Sequence, residues 1–401
     1  MKKVALIGTV GIPGRYGGFE TLAHHLTKEL NGKVDFTVYC SIQAYSKEER
    51  VSSYNGAKLV YLPLNANGAQ SVVYDIISIF HALFYADTLL ILGVSGAIGL
   101  PLVRWFTNIK IIVNIDGLEW RRNKWNGLAK KFLKFSERIA VQFSHAEITD
   151  NQAIKNYTYS EYSSVSELIE YGGNHVVRNT VQPRYLKKYV FFHTDYAFKV
   201  ARIEPENNVH IILNAFTKTT KQLVIVGNWS NSAYGKELKE FYAPFKNLYL
   251  IDPIYDQNEL DALRQGCKVY VHGHSAGGTN PSLVEAMSLG IPVLAYDVSY
   301  NRATTENQAF YFKNESDLAQ QILDIKIEQL IANGKRMEAI AQRRYTWEII
   351  ASKYHKLIHA LDYQTQIPNV FPENRFTSEL KASESYMAQM HSSQYFQKEE
   401  I

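Results

Sequence analysis

The stretch His272–Pro292, HGHSAGGTNPSLVEAMSLGIP, decides the fold of this chain. It continues the apolar run Lys268–Val271, which predicts a buried strand, and passes through a glycine-rich loop, Gly273–Gly278, into a helix. Pro281 suits the first turn of that helix. Backbone N–H groups at such a helix start attract an anion, although an ordinary strand–loop–helix unit would show the same pattern.

The polar residues of this stretch are the first candidates for a binding site. Thr279 or Asn280 can cap the helix, and Glu285 follows one turn further in. The stretch therefore predicts a phosphate-ready helix start with a carboxylate close behind it. Its candidate substrate-binding residues are His274, Gly278, Thr279, Asn280, Ser282 and Glu285.

Short apolar runs separated by helical patterns recur along the whole chain. Such alternation predicts an α/β fold with doubly wound parallel sheets, in which ligands bind beyond the carboxyl ends of the strands. In the first half we predict strands at Val4–Gly8, Asp35–Cys40, Lys58–Leu62, Thr88–Leu92, Lys110–Ile115 and Ala146–Thr149. In the second half we predict strands at Tyr196–Ala201, Leu223–Val226, Leu248–Ile251, Val269–His272, Pro292–Tyr296 and Ala309–Phe312.

The pattern is interrupted near residues 168–183, where glycine- and proline-containing segments predict a domain boundary. We expect an N-terminal Rossmann-like domain over 1–180 and a C-terminal one over 181–345, facing each other across a cleft. An amphipathic helix over 346–361 is expected to pack back towards the N-terminal domain. Residues 362–401 are polar and predict a loose tail.

Composition narrows the class of protein. The 401 residues carry a net charge of +4 and only two cysteines, so neither nucleic-acid binding nor a disulfide framework is indicated. The N-terminus shows no signal cleavage pattern, and polar residues interrupt the apolar region Ser71–Phe106, so we expect a cytoplasmic protein without a membrane span. No metal-ligand or cofactor motif occurs in the sequence, so we expect neither.

Glycines also follow the first strand, in Gly8–Glu20 (GTVGIPGRYGGFE). The spacing departs from the dinucleotide fingerprint, and no acid ends the second strand, so NAD binding is disfavoured. Gly17 and Gly18 would let the backbone approach a substrate or its phosphates, with Arg15 adding charge. A plain turn is the alternative, but it needs fewer glycines.

Polar residues follow three further strands. Asp116, after Lys110–Ile115, is placed to orient or deprotonate an acceptor hydroxyl, or to cap the next turn. Arg202, after the first strand of the second domain, suits a diphosphate, or a surface pair with Glu204 or Glu206. Tyr255 is a weaker candidate for contact with a base or ring.

The segment Trp120–Phe135, WRRNKWNGLAKKFLKF, has six cations, no acids and four aromatic residues. A nucleic acid, an anionic membrane surface or a plain solvated basic face would all fit this pattern. The interleaved aromatic residues favour membrane contact.

The motifs ARIEPENN and HSAGGTNPSLVEAMSLGIPVLAY resemble the C-terminal domain of retaining GT-B glycosyltransferases of family four. The opening GTVGIPGRYGGFETLAHHL, with DGLEWRRNKW and YGGN, resembles the bacterial rhamnosyltransferase subgroup of capsule and cell-wall polysaccharide synthesis. The resemblance covers roughly residues 1–360. It implies a GT-B fold that binds a nucleotide sugar.

The resemblance also implies roles for single residues. Glu285 would hold the ribose and Arg202 the diphosphate, and Gly278, Thr279 and Asn280 would receive phosphate and sugar. Gly17 and Gly18 would lie near the diphosphate, and Asp116 near the reacting sugar. Two positions depart from the family pattern, because Gly277 replaces a glutamate and Asn207 replaces a lysine.

We therefore expect transfer of L-rhamnose from dTDP-L-rhamnose to a saccharide on a polyprenyl diphosphate, with the enzyme peripheral at the inner membrane face. Asp116 and Glu119 would line the acceptor side, Arg202 would stabilise the leaving group, and Trp120–Phe135 would contact lipid. The alternatives are transfer from UDP-glucose or UDP-N-acetylglucosamine, a GT-B-fold sugar-nucleotide epimerase, or an inactive partner subunit.

Overall fold

The computed structural model describes residues 1–14, 17–68, 70–115, 117–122, 125–176, 178 and 181–363. Met1–Ile358 forms one compact unit, which contains both sheets described below. A second unit, His359–Ile401, is described only at the end of the last helix, so the predicted tail lies almost wholly outside the described residues.

The N-terminal sheet has eight strands in the order β3-β4-β2-β1-β5-β6-β7-β8. All neighbouring strands run parallel except β3, which pairs antiparallel with β4. The strands are β1 Lys2–Ile7, β2 Val34–Ser41, β3 Ser53–Tyr54, β4 Ala57–Leu62, β5 Thr88–Leu92, β6 Lys110–Ile115, β7 Ala146–Thr149 and β8 Glu167–Leu168.

The C-terminal sheet has six parallel strands in the order β11-β10-β9-β12-β13-β14. The strands are β9 Tyr196–Val200, β10 Gln222–Val226, β11 Leu248–Ile251, β12 Val269–His272, β13 Val293–Tyr296 and β14 Phe310–Phe312. Its core side chains come from both the strands and the helix after β9, among them Ile212, Phe216, Ile225 and Val271.

Helices connect the strands in both halves. Those of the first half are α1 Gly18–Glu29, α2 Gln70–Ala82, α3 Leu100–Phe106, α4 Gly127–Phe143 and α5 Gln152–Tyr162. Those of the second half are α6 Pro183–Lys188, α7 Val209–Thr217, α8 Ala233–Tyr242, α9 Gln257–Gly266, α10 Pro281–Ser288, α11 Ser299–Thr304, α12 Glu315–Asp324, α13 Ile327–Arg344 and α14 Trp347–Tyr363.

The predicted fold class is confirmed: the chain contains two Rossmann-like domains, each built on a parallel sheet. Every predicted strand is present, with bounds that agree to within two residues, because continuous burial on both faces leaves an apolar run that sequence alone reveals. The two-residue strands β3 and β8 were not predicted, since two residues are too few to show a pattern.

Helix α14 follows the second domain in sequence and contacts residues of the first. The Nδ2 group of Asn114, in β6, donates a hydrogen bond of 2.7 Å to the hydroxyl of Tyr354. Lys353 pairs with Glu170 at 2.6 Å, and the Trp347 ring stacks on His25 with 4.3 Å between ring centroids. These contacts bring the last helix against the N-terminal sheet.

Among the described helices, none has an apolar stretch of the length that a bilayer crossing requires.

Candidate functional site

The start of α10 has the capped geometry that the sequence predicts, with Asn280 as the cap. The Oδ1 atom of Asn280 accepts hydrogen bonds from the backbone N–H of Ser282 at 3.0 Å and from its hydroxyl at 2.7 Å. Pro281 is the first helical residue. The helix therefore begins where the glycine-rich loop after β12 ends, at the carboxyl edge of the C-terminal sheet.

Thr279 does not cap the helix but joins the two domains. Its hydroxyl donates to the backbone carbonyl of Asp150, which follows β7, and accepts from the Nδ2 group of Asn151 at 3.4 Å. Asn151 also donates to the hydroxyl of Thr304 at 3.2 Å. The predicted loop residues are thus held against the edge of the N-terminal sheet.

Three glycines, Gly117, Gly277 and Gly278, allow the backbones of the two domains to cross; we call this contact the glycine crossing. A β-carbon on Gly117 would lie 2.6 Å from both the Cα atom of Gly277 and the nitrogen of Gly278. Gly277 has a φ of +123°, which favours glycine, and a β-carbon there would lie 2.8 Å from Nε2 of His274. The structure therefore has no room for a glutamate at position 277 without local rearrangement.

Glu285 is buried below this loop, with a residue exposure of 9%. One carboxylate oxygen accepts from Arg264 in α9, and the other lies 3.3 Å from Nε2 of His175. Burial acts to raise the pKa of Glu285, but Arg264 and His175 outweigh it and hold that pKa below its ordinary value. Glu285 is therefore an ionised hydrogen-bond acceptor at neutral pH.

A further contact orients His175. The indole N–H of Trp347 donates to Nδ1 of His175 at 3.1 Å, which leaves Nε2 as the side that donates to Glu285. The segment carrying His175 also packs against α10, because a β-carbon on Gly173 would lie 2.6 Å from the carbonyl oxygen of Val284. The YGGN motif thus supports Glu285 from the N-terminal side.

Arg122 joins the domains through three carboxylates, in what we call the Arg122 cluster. Its guanidinium lies 3.0 Å from Glu119, 3.0 Å from Glu204 and 3.2 Å from Glu206. Glu119 belongs to the N-terminal domain, whereas Glu204 and Glu206 follow β9 in the C-terminal domain. Sequence reasoning missed Arg122, because residues more than 80 positions apart form the cluster.

Arg202 lies at the border of the same cluster. Its Nε atom is 3.7 Å from Glu204, and its side chain is 43% exposed. The neighbouring Asn207 donates to the carbonyl oxygen of Arg202 at 2.9 Å, and its Oδ1 lies 3.1 Å from Nδ1 of His274. Arg202 and the buried His274 are therefore held together at the carboxyl edge of the C-terminal sheet.

The remaining predicted residues fall into three groups. Arg15 and Asp116 lie outside the described residues. Gly17 and Gly18 begin α1, and Gly17 has a φ of +124°. Tyr255 is 76% exposed, in contrast to the buried cluster around α10.

In the described part of the segment Trp120–Phe135, which was predicted to contact a membrane, several side chains instead contact residues later in the chain. The indole N–H of Trp120 donates to Glu137 at 3.0 Å, and the Lys134 amine lies over the Trp120 ring and pairs with Glu161 at 2.9 Å. Acids later in the chain thus neutralise part of a segment that contains none. The exposed residues on α4 include Leu128 and Phe135.

No group of side chains suited to hold a metal ion occurs among the described residues.

Residues 1–174 match the family model "Domain of unknown function (DUF1972)", and residues 184–347 match the model "Glycosyl transferases group 1". Residues 184–347 are therefore similar to the group 1 glycosyl transferases.

A curated relative is the "Glycosyltransferase 1 domain-containing protein 1" of Xenopus tropicalis, 26% identical over 143 residues. The match covers 34% of this chain and 40% of the relative, so it spans less than half of that protein's length.

Solved structures agree with the fold over most of the chain. Sucrose-phosphate synthase from Thermosynechococcus elongatus is 16% identical, with a TM-score of 0.77, covering 91% of this chain and all of that one. HepE from Anabaena, solved with UDP-glucose, is 14% identical with a TM-score of 0.68, covering 90% of this chain and 100% of its own. A putative UDP-N-acetylglucosamine 2-epimerase from Listeria monocytogenes is 13% identical with a TM-score of 0.57, covering 91% and 96%. These likenesses establish the GT-B fold.

The glycine crossing generates a first prediction. Gly277→Ala should lower the free energy of unfolding by about 1–3 kcal/mol, because alanine is strained at this φ and its β-carbon would press on His274. Gly127→Ala is the matched control, since a β-carbon there would have no neighbour within 4 Å. Urea denaturation measures both variants, and equal stability of the two would contradict the crossing.

The Arg122 cluster generates a second prediction. Arg122→Ala should cost about 2–4 kcal/mol in urea denaturation, because it leaves Glu206, which is 9% exposed, without this cation. Arg121→Ala, at an exposed neighbour with a cation–π contact to Trp120, should cost less than about 1 kcal/mol. Comparable losses in both variants would show that the cluster does not stabilise the domain contact.

Proposed function

We propose that this chain is a retaining glycosyltransferase that takes its sugar from a nucleoside diphosphate sugar. The observation that carries the proposal is the capped start of α10, which lies opposite the N-terminal loops with the ionised Glu285 buried behind it. The group 1 glycosyl transferase match over residues 184–347 supports it. The solved neighbours in complex with UDP or UDP-glucose agree with a nucleotide-sugar donor.

The proposed reaction exchanges one bond at the anomeric carbon for another. The bond to the diphosphate oxygen breaks while a bond to the acceptor hydroxyl oxygen forms on the same face. The helix N-terminus of α10 and Arg202 stabilise the leaving diphosphate. Asp116 orients or deprotonates the acceptor hydroxyl, and Glu119 holds Arg122 at the edge of the acceptor side.

For the donor we propose dTDP-L-rhamnose. Gly277, in the glycine crossing, stands where the related family has a glutamate, and both its φ and the His274 ring oppose a side chain at this position. The sugar pocket is therefore formed without that carboxylate, which suits a 6-deoxy sugar that lacks one hydroxyl. Transfer from UDP-glucose or UDP-N-acetylglucosamine is the alternative that a panel of nucleotide sugars would reveal.

The same panel of nucleotide sugars also tests the two other functions, a sugar-nucleotide epimerase and an inactive partner subunit. Release of a nucleoside diphosphate in proportion to a glycosylated product supports a transferase. A changed sugar on an intact nucleotide supports an epimerase, and binding of a donor without turnover supports an inactive subunit.

For the acceptor we propose a saccharide on a polyprenyl diphosphate, reached from the inner face of the membrane in capsule or cell-wall polysaccharide synthesis. The exposed side of α2 carries Val73, Ile77 and Phe80, spaced along one face of the helix, and Phe84 follows just after its last residue. These four side chains are between 38% and 89% exposed. An amphipathic surface helix would place polar residues there. The stripe therefore suits an apolar phase rather than water.

Helix α3 and the turn before it extend this stripe. Ile98, Leu102, Trp105 and Phe106 are between 36% and 78% exposed, and a β-carbon on Gly99 of that turn would lie 4.0 Å from the ring of Phe80. We use the name α2–α3 apolar surface for the following eight residues: Val73, Ile77, Phe80, Phe84, Ile98, Leu102, Trp105 and Phe106. Helix α4 packs on α3 and adds the cations Lys130, Lys131 and Arg138. We propose that this surface enters the membrane and that the cations meet anionic headgroups.

The ribose role of Glu285 gives a third prediction. Glu285→Gln should raise the dissociation constant of UDP by about 10- to 100-fold, because a neutral amide accepts more weakly than a carboxylate. The effect on dTDP should be smaller, since deoxyribose lacks the 2′-hydroxyl. Calorimetric titration measures both, with the exposed Glu237→Gln as control. An unchanged affinity for UDP would refute the ribose role.

The membrane proposal gives a fourth prediction. Replacing Phe84, Trp105 and Phe106 together by serine should weaken binding to phosphatidylcholine–phosphatidylglycerol vesicles at least about tenfold, through lost apolar burial. The control replaces exposed apolar residues of the second domain, Phe241, Leu323 and Ile331. Co-sedimentation measures both, and equal binding of the two variants would refute this surface.

A further inference from the structure

Lys199 is a buried lysine that the proposed mechanism leaves unused. It lies in β9, three residues before Arg202, and its residue exposure is 1%. Among the described residues its amine forms no hydrogen bond or ion pair, and no carboxylate contributes to its electrostatic surroundings. A buried amine without a partner is costly to retain, so its position calls for an explanation.

The Lys199 amine lies at the start of the glycine-rich loop. A β-carbon on Gly273 would be 3.2 Å from Nζ of Lys199, and it would be closer still to the carbonyl oxygen of Asn207. Lys199 and Asn207 thus lie against the same small residue. Asn207 stands at the position at which the related family has a lysine. This chain therefore lacks a lysine at position 207 but has one, Lys199, against the same glycine.

The same loop connects Lys199 to the start of α10. His274, the next residue after Gly273, lies 3.1 Å from the Oδ1 atom of Asn207 on one side of its ring. On the other side, its Nε2 atom faces Gly277 of the glycine crossing. Lys199 and His274 therefore line the loop near Gly273 and Gly277, whereas the Asp150 carboxylate lies against Gly278.

The charged groups around Lys199 leave it without a counter-ion. His272 and His274 belong to the adjacent strand and loop, and the nearby carboxylates of Glu204 and Glu206 pair with Arg122. Burial lowers the pKa of Lys199 to about 7. Burial, with Arg122, Lys199 and Arg202, lowers the pKa of His274 to about 3. The loop therefore lies beside one amine and two imidazoles that are neutral or easily neutralised.

His272 is a second buried basic residue beside this loop. Both of its ring nitrogens are buried without a hydrogen-bond partner in the described structure, and burial lowers its pKa well below the ordinary value. Buried polar atoms normally have partners. An anion or ordered water entering beside the loop would satisfy such groups.

We propose that Lys199, from strand β9, supplies the cation that binds the donor diphosphate in place of the lysine absent at position 207. This inference rests on the proposed function. The dianionic group restores the charged form of the amine, so donor binding is accompanied by uptake of a proton from solvent. Lys199 then contributes most to the affinity when both phosphates of the leaving group are present.

The experiment titrates Lys199→Met with UDP, dTDP and UMP by calorimetry at pH 8, in Tris and in HEPES, whose ionisation enthalpies differ. Wild type should take up close to one proton per diphosphate, because pH 8 lies above the folded pKa of about 7. The variant should take up correspondingly less, and its dissociation constants for UDP and dTDP should rise about 10- to 100-fold. The dissociation constant for UMP, which has one phosphate, should rise less. Lys218→Met, at an exposed lysine after α7, is the control.

A second readout separates binding from folding. The folded pKa of Lys199 lies below its unfolded value, so the lysine destabilises the fold fully below pH 7 and ceases to do so near its ordinary pKa. Lys199→Met should therefore raise the melting temperature at pH 7 and lose this advantage as the pH rises towards 10. A variant that unfolds at pH 7 would contradict the unpaired state of the amine.

The double variant Lys199→Met/Asn207→Lys moves the amine to the neighbouring position. Recovery of diphosphate affinity supports a binding cation, whereas a merely structural lysine would not be rescued. If Lys199→Met binds UDP and dTDP as wild type does, the inference is overturned while the glycosyltransferase proposal stands. If wild type binds no nucleoside diphosphate, both are overturned.

Discussion

The contact between Arg122 and three carboxylates is the constraint on which the arrangement of the two sheets depends. A guanidinium that is largely buried must be neutralised, and here the neutralising groups come from both domains. The loop after β6 is thereby held against the loop after β9. This brings the glycine crossing together and places Thr279 against Asp150. The edges that would bind a ligand are thus held together by an ion-pair network in addition to the glycine crossing.

The same network determines which charged side chains near the cleft have ion-pair partners. Arg122 forms ion pairs with Glu119, Glu204 and Glu206, so these three carboxylates are already neutralised. Arg202 is left with one distant contact to Glu204, and Lys199 with none among the described residues. Glu285 is paired separately, with Arg264 and His175. Lys199 therefore lies at the start of the glycine-rich loop, whereas the buried Asp150 carboxylate lies against Gly278 at its end.

Much of this could be predicted from the sequence, and the failures have physical causes. The strands were predictable because each is a continuous apolar run between turn residues, and Asn280 and Pro281 marked the start of α10. Arg122 was not predictable, because its partners lie far away in sequence. Nor were the contacts of Trp120–Phe135, since Glu137 and Glu161 lie beyond the segment whose composition was considered.

Two further features were hidden for the opposite reason, namely that their patterns looked ordinary. The sequence around α2 is apolar on several sides, so its pattern does not show which apolar residues are buried. Only the fold shows that Phe84, just after α2, is 89% exposed. A lysine within a strand pattern suggests an exposed edge, yet Lys199 belongs to a strand that has neighbours on both sides. Burial, unlike secondary structure, depends on which elements pack together.

The glycine crossing limits how the substrate range of this protein can be altered, in the laboratory or by descent. A donor pocket is usually retuned by exchanging the side chains that touch the sugar, but positions 117 and 277 offer no side chain to exchange. Variation must instead enter through neighbours that carry side chains, such as His274 and Asn207. A mutant library aimed at new donor sugars would accordingly leave both glycines intact and randomise the residues around them.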